Sequence, residues 1–457
     1  MAETRGKTMY KNKVDFLSGV LATVKNNRQI DTVRNAGDSG RTILKAGRVI
    51  DPKNNLDSVA DLAIHAGQIV QCGPDIKPEK GDIILNCEGL MVLPGLIDMH
   101  LHLGDLFEVT TNPIFGAVAD GVTMGLSPGA GNTFLAPSLL GAEIDRGLPI
   151  NLGVYLGALN VLGTCLSDDE LIKMFRGEMD SDTLSVKMSR NGIAITTAML
   201  CVGIKDHMGH FIMPDESIER IYKITSGAGL VFMSHTQDPE HTGRLAALSK
   251  GRPLHLAHAT AAGCGTHTDA LEGMQAIINM IDGKIITAEF VSTMMRSAGG
   301  CREGLIMPKA AQQAAYDALA NGKVKILVSD GQNDATMKGF GDTRDNIPAI
   351  LELADEGIMT LKDSVASMTC NPSELLLKRS GCDFWGTVGH LGAGAPANVT
   401  VVNPKVKLAA YTIVNGDIVA FESRAVRKGY TAGGWISKFG MLRNTGVGDL
   451  AMLSRQR

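Results

Sequence analysis

The chain has 457 residues, of which 44% are hydrophobic and 20% charged, with a formal net charge of −4. That length suggests two or three domains, or one barrel-sized domain with additions, and the composition is that of a soluble globular protein. The near-neutral charge speaks against nucleic acid and against an anionic membrane surface as partners, and the absence of any run of about 18 uninterrupted apolar residues means that no membrane span is expected.

Residues 1–41 read as an N-terminal extension with an amphipathic helix over residues 10–26. The apolar part is short and lacks a small-x-small cleavage site, so it is not read as a signal peptide. Eight cysteines (72, 87, 165, 201, 264, 301, 370 and 382) are scattered without a Cys-x-x-Cys pair. That favours free thiols in a reducing compartment, and a cytoplasmic location is expected. Cys201 and Cys264 are close in sequence to the site residues named below and are read as small buried core residues.

Residues 42–92 contain short alternating runs ("TILKAGRVI", "ADLAIHAGQIVQCG", "DIILNCEGLMVLPG") broken by Gly, Pro and Asn, as hairpin strands are. The same texture returns in "NVTVVNP" (398–404) and "YTIVNGDIVAF" (411–421), where Asn415-Gly416 is a two-residue hairpin turn. Residues 42–92 and 383–430 are therefore expected to join into one small β domain. His65 and His390 are read as structural residues of it, and residues 431–457 as a C-terminal tail.

Residues 93–382 differ. Eight apolar, β-prone runs follow one another: "LPGLIDMHLH" (93–102), "GVTMGLSP" (121–128), "INLGVYLGA" (150–158), "AMLCVGIK" (198–205), "GLVFMSHT" (229–236), "PLHLAHAT" (253–260), "KIITAEFV" (284–291) and "VKILVSDG" (324–331). Most gaps hold helix-like segments such as "SDDELIKMFRGE", "DESIERIYKITSGAG", "TDALEGMQAIINMID" and "PKAAQQAAYDALANG". Near-continuous apolar strands alternating with helices predict a parallel sheet covered on both faces, and eight such units predict an α/β fold, a (β/α)8 TIM-like barrel.

In such a barrel the C-terminal ends of the strands converge on one mouth. The first run ends in His100 and His102, placed on one face of a strand by their spacing. The fourth ends in Lys205, the fifth in His235, the sixth in His258 and the eighth in Asp330. Each alone has an ordinary structural explanation, but six such residues at the ends of five strands point to a metal site.

The pieces "PGLIDMHLH", "GIKDH", "MSHTQ", "LHLAHAT" and "VSDGQND", with the flanking "NPSELL", "GHLGAGAPANVTVVNP" and "TIVNGDIV", resemble the amidohydrolase superfamily. The match is to its hydantoinase, dihydropyrimidinase, dihydroorotase and isoaspartyl dipeptidase branch, over roughly residues 42–425. The resemblance implies a barrel joined to a small β-sandwich formed by both chain ends. It implies two divalent ions, with His100, His102 and Asp330 on the more buried one and His235 and His258 on the other. Lys205, carboxylated on its amine, would bridge them. Lys187 is the rival for this role but lies between strands three and four. Imidazole and oxygen ligands suit zinc. In the implied mechanism a water between the ions is present as hydroxide near neutral pH. It attacks a carbonyl polarised by the second ion, while Asp330 takes its proton and delivers it to the leaving nitrogen. The expected activity is hydrolysis of a C–N amide bond other than an ordinary peptide bond, in a cyclic amide of the hydantoin or dihydropyrimidine type. Relatives are commonly dimers or tetramers, so a small-molecule substrate and a homodimer or homotetramer are expected.

The sequence departs from its relatives in two places. Dihydroorotases resembling it carry an Arg soon after His-x-His, and "HLHLGDLFE" has none, which argues against orotate chemistry. Hydantoinases place a Tyr five residues after the bridging lysine, where this chain has His210; His210 or His207 is the candidate donor to a developing oxyanion. Asn132 in the glycine-rich "SPGAGNT", Arg296 in "STMMRSAGG" and Asn333 after Asp330 are further substrate-binding candidates. The glycine-rich stretch lacks the Lys-Ser/Thr of a phosphate loop. His241, His255 and His267 are not read as ligands. Rival functions are an N-acyl-amino acid or isoaspartyl-dipeptide hydrolase, a single-metal deaminase of the same superfamily, and a non-enzymatic dihydropyrimidinase-like assembly protein. The last is disfavoured because all six ligand positions are filled.

Overall fold

The computed structural model describes residues 40–103, 113–129, 132–207, 212–300, 307–331, 340–426 and 432–442. The expected helix over residues 10–26, His210, Asn333 and Cys301 lie outside the described residues. No helix among the described residues is long and apolar enough to cross a membrane.

The first five strands are β1 (Thr42–Asp51), β2 (Leu56–His65), β3 (Gln68–Gly73), β4 (Ile83–Asn86) and β5 (Met91–Pro94). β1 pairs with β2 on one edge, across a bulge at Ala46, whose φ is 59°. Its other edge is shared, Thr42–Lys45 pairing with β4 and Arg48 and Val49 with β5. Extra residues in a strand bend it and increase its twist, which closes this sheet over a small core of Leu44, Val49, Leu62, Val92, Val399 and Ile413.

Eight strands follow in sequence and in space: β6 (Leu96–Asp98), β7 (Val122–Ser127), β8 (Asn151–Gly157), β9 (Gly203–Asp206), β10 (Val231–His235), β11 (Leu254–Ala257), β12 (Ile286–Val291) and β13 (Ile326–Val328). Each pairs in parallel with the next. The ring closes where Asp330 N–H donates to His100 O (2.9 Å) and His102 N–H to Gly331 O (3.2 Å). The seam of the barrel is thus made by the two segments that carry three of the candidate ligands. Inside it Ile97, Met99, Met124, Leu126, Tyr155, Met233 and Val328 form one layer that continues to Trp385. The covering helices start and stop where local chemistry dictates. Ser167 and Glu170 form a capping box at the start of Asp168–Arg176, which ends at Gly177 with φ 75°.

The later strands β14 (Val399–Asn403), β15 (Leu408–Val414), β16 (Asp417–Phe421) and β17 (Arg424–Ala425) return to the first sheet, β14 pairing antiparallel with β5. Both ends of the chain therefore build the small domain, as expected. Asn415 and Gly416 have φ of 49° and 91°, the two left-handed residues that the β15–β16 hairpin needs.

One segment was unreadable in the sequence. β18 (Trp435–Ser437) and β19 (Gly440–Leu442), in the stretch expected to be a tail, form a hairpin, and β18 pairs in parallel with the start of β8. Gly153 permits this, because a Cβ there would lie 2.8 Å from Ile436 O. Asn151 stitches the parts together: it accepts from Asn415 Nδ2 (2.7 Å) and Gly434 N–H (3.0 Å) and donates to Asn398 Oδ1 (3.1 Å).

Candidate metal centre

The first strand stops earlier than the sequence predicts. Asp98 Oδ1 accepts from His100 N–H (3.1 Å), and the Asp98 carboxylate also accepts from Ser329 N–H across the seam. This turn takes His100 and His102 off the regular strand, but Leu101 between them bridges in parallel to Gly331 and keeps both on the side of Asp330. Both then face one carboxylate oxygen: His100 Nε2 and His102 Nε2 lie 3.0 and 3.3 Å from Asp330 Oδ1. The other oxygen, Oδ2, accepts from Phe340 N–H (2.7 Å).

The remaining expected ligands gather at the same place. Lys205 is buried on β9, with Nζ 2.8 Å from His100 Nε2. The rings of His235 and His258 are 4.5 Å apart, and those of His100 and His258 4.9 Å. One ligand atom from each of His100, His258 and Asp330 can be chosen so that all lie within 4.8 Å of one another. Asp330 and His258 have φ of 48° and 36°. The left-handed region is uncommon for residues other than glycine and costs of order 1 kcal/mol, and here it falls on two site residues.

The electrostatics keep the imidazoles ready for a cation. Burial, then the Lys205 charge, pushes His235 down to about 3. Burial and His235 hold His258 well below its ordinary range, and burial and Lys205 do the same to His207. Burial alone would raise Asp330, but His100, His102 and His258 outweigh it and hold the carboxyl well below the usual range. His258 Nδ1 is buried with no hydrogen-bond partner among the described residues. Neutral imidazoles, an ionised carboxylate and an unsatisfied ring nitrogen are the donor set that a divalent ion satisfies.

These shifts predict a pH dependence. An imidazole depressed by folding contributes stability present above the unfolded value of 6.5 and lost as pH falls through the window below it. Between pH 7 and 6 the unfolded chain takes up protons at three histidines that the folded, metal-free chain refuses. Asp98 and Asp120, pushed up to about 6 mainly by burial, take up protons when folded and offset part of the loss. The net expectation is a fall of about 1–2 kcal/mol over that unit. Urea titrations of the metal-free protein at the two pH values check it, and equal or greater stability at pH 6 contradicts it.

Other expected residues are placed differently. His207 follows β9 and lies within the field of Lys205, His102 and His235. Its Nε2 is buried without a partner among the described residues. A neutral imidazole carries its proton on either ring nitrogen, so this atom can offer a donor or an acceptor at the site. Asn132 is buried and braces the glycine-rich loop, its side-chain Nδ2 donating to Tyr155 O (3.0 Å) and its backbone carbonyl accepting from Gly157 N–H (2.8 Å). Arg296 faces Asp345 (2.5 Å) and Glu352 (2.9 Å), and these two carboxylates occupy the guanidinium that was expected to meet a substrate carboxylate. Lys187 pairs with Glu170, away from the cluster.

Sequence reasoning missed Glu289. It is fully buried on β12 and contacts His100 Nδ1, with His255 Nε2 at 3.0 Å. Burial raises its pKa, yet the two imidazoles bring it down to about 2. The available signal was a glutamate inside "ITAEFV", a run that otherwise reads as fully buried.

Comparison with known proteins agrees with this geometry. Residues 91–436 match the model of the amidohydrolase family. The chain belongs to that family. Divalent metal use follows from membership, and the cluster of His100, His258 and Asp330 is the candidate site for it. Among curated relatives, a dihydroorotase of Geobacter metallireducens is 24% identical over 84% of this chain and 93% of its own length. A dihydroorotase of Trichlorobacter lovleyi is 26% identical over 79% of this chain and 89% of its own. Among solved structures, an L-hydantoinase from Arthrobacter aurescens superposes with a TM-score of 0.62 at 16% identity, covering 87% of this chain and 99% of that one.

Proposed function

We propose that this amidohydrolase opens a cyclic amide of the hydantoin or dihydropyrimidine type by hydrolysis of its C–N bond, using two zinc ions bridged by carboxylated Lys205. The observation that carries this reading is the convergence of His100, His102, Lys205 and Asp330, with Asp330 Oδ1 between two imidazoles and Lys205 Nζ 2.8 Å from one of them. His100, His102 and Asp330 would hold the deeper ion, and His235 and His258 the other. A lysine ammonium cannot ligate a cation. Its neutral amine, however, adds to carbon dioxide, forming an N–C bond and releasing one proton, and the carbamate brings two anionic oxygens to the site. When bound, the ions supply Lewis acidity and an acidified water.

The side chains do the rest. Asp330 takes the proton of the attacking water and gives it to the departing nitrogen. His207 Nε2, buried and unpartnered among the described residues, hydrogen-bonds the substrate and orients it. The buried Lys205 next to His100 is what favours this site over the single-ion site of a deaminase.

Two divalent ions per chain are expected. His100→Ala or His235→Ala should lower metal content and activity together; full activity of the wild-type protein with one ion would overturn the two-ion reading. The substrate is tested with the zinc-loaded protein on hydantoin, dihydrouracil, dihydroorotate, N-acyl-amino acids and isoaspartyl peptides. Ring opening of hydantoin or dihydrouracil is expected. Turnover of the linear amides alone would replace this reading with the N-acyl or isoaspartyl one. Dihydroorotate is the informative comparison, because the named relatives are dihydroorotases while Arg296 is committed to Asp345 and Glu352. A homodimer or homotetramer is proposed with it, to be read from light scattering of the purified protein.

A further inference from the structure

We propose that Glu289 is a positioning residue of the metal centre, one carboxylate that aligns ligands of both ions at once. This rests on the two-ion reading above. Oε1 accepts from His100 Nδ1 and also from the backbone N–H of His258 (3.2 Å). Oε2 meets His255 Nε2 (3.0 Å), and His255 Nδ1 meets Thr287 Oγ1 (2.9 Å). Glu289, His100 and His255 are all 0% exposed, so no solvent competes for these bonds.

The consequence follows from imidazole chemistry. A ring that gives its Nδ1 proton to a carboxylate keeps a lone pair at Nε2 and becomes a better base there. In His100 that Nε2 is the atom facing Asp330 Oδ1 and Lys205 Nζ. The same carboxylate oxygen also fixes the peptide at His258, the left-handed residue that carries a ligand of the second ion. His255, not itself at the metal cluster, braces Glu289 from the far side and spares its second oxygen from being a buried, unpaired acceptor. Strand β12 supplies no ligand in this reading, yet its one acidic residue reaches the ligand residues that follow β6 and β11. Loss of an outer carboxylate of this kind costs ~10–100-fold in metal affinity.

Glu289→Gln keeps the size and removes the charge. In the full chain, zinc binding measured by competition with a chelator is expected to weaken by at least ~10-fold, and the visible spectrum of the cobalt-loaded protein is expected to change. KM should stay near that of the wild type while kcat falls. The melting midpoint of the metal-free protein should move little, which a merely structural role would not allow. Glu289→Asp, which keeps the charge, should recover part of the affinity, and His255→Gln should weaken binding in the same direction by less. Equal zinc affinity and an unchanged cobalt spectrum in Glu289→Gln would overturn the inference, as would failure of Glu289→Asp to bind more tightly than Glu289→Gln. If Glu289→Gln does not fold, His255→Gln decides: affinity equal to wild type overturns the proposal. Wild-type protein that binds no divalent ion would instead overturn the metal reading on which it rests.

Discussion

Asp330→Asn is expected to retain the fold and much of its metal while kcat falls at least ~10²-fold, the lower end of general acid–base effects. The substitution is chosen for its backbone as well as its chemistry. Residue 330 has φ of 48°, a conformation that asparagine tolerates almost alone among non-glycine residues, so the seam between β13 and the segment after β6 is not strained anew. The amide oxygen can still face His100 Nε2 and His102 Nε2, as Oδ1 does at 3.0 and 3.3 Å. What disappears is the second carboxylate oxygen and with it the capacity to take up a proton at working pH. The loss is therefore expected in kcat and in kcat/KM alike, because the missing interaction belongs to the transition state. Metal content measured alongside both pH–rate profiles separates this from simple loss of a ligand. A fully metallated Asp330→Asn protein within a few fold of wild type would move the proton transfer to another group, and His207 would be the next to examine, with His210 after it.

The barrel was legible because burial on both faces leaves a mark in composition. Eight apolar runs separated by amphipathic segments admit few architectures, and all eight are present in the expected order. The candidate ligands were legible for the complementary reason, since histidines and a lysine at the ends of such runs are not what packing asks for. What the sequence hid was direction and pairing. Arg296 reads as a free cation after the seventh strand, and only the fold brings Asp345 and Glu352, about fifty residues away, to its guanidinium. Asn132 reads as a pocket residue, and the fold turns its side-chain Nδ2 to Tyr155 O and its backbone carbonyl to Gly157 N–H of the neighbouring strand. Glu289 was hidden inside an apolar run because the two histidines that justify its burial come from other strands. The hairpin of β18 and β19 was hidden because three-residue strands carry almost no periodicity, and its place depends on the missing side chain of Gly153.

Lys205→Ala should remove the bridge itself and take turnover to the background rate, the largest effect expected of any single substitution here. The lysine side chain is among the largest fully buried in the chain, and its charge lowers the pKa values of His207, His235 and His258. Burial, the larger cause of that lowering, persists when the lysine is deleted, so the imidazoles stay neutral and able to bind a cation; what goes is the anionic oxygen pair that would balance two dications side by side. One ion or both should leave, and zinc content should fall with activity. The space vacated by the side chain is the right place for a small acid, so acetate, propionate or added bicarbonate is expected to restore part of the metal and part of the rate in the variant while doing nothing for the wild type. Mass spectrometry under native conditions should show the extra mass of one carbon dioxide on the wild-type chain and none on the variant. A Lys205→Ala protein that keeps two ions and full turnover, or an active metal-loaded wild type whose Lys205 carries no carboxyl group, would mean that the bridge is made by something else, and Asp330 would then have to serve both ions.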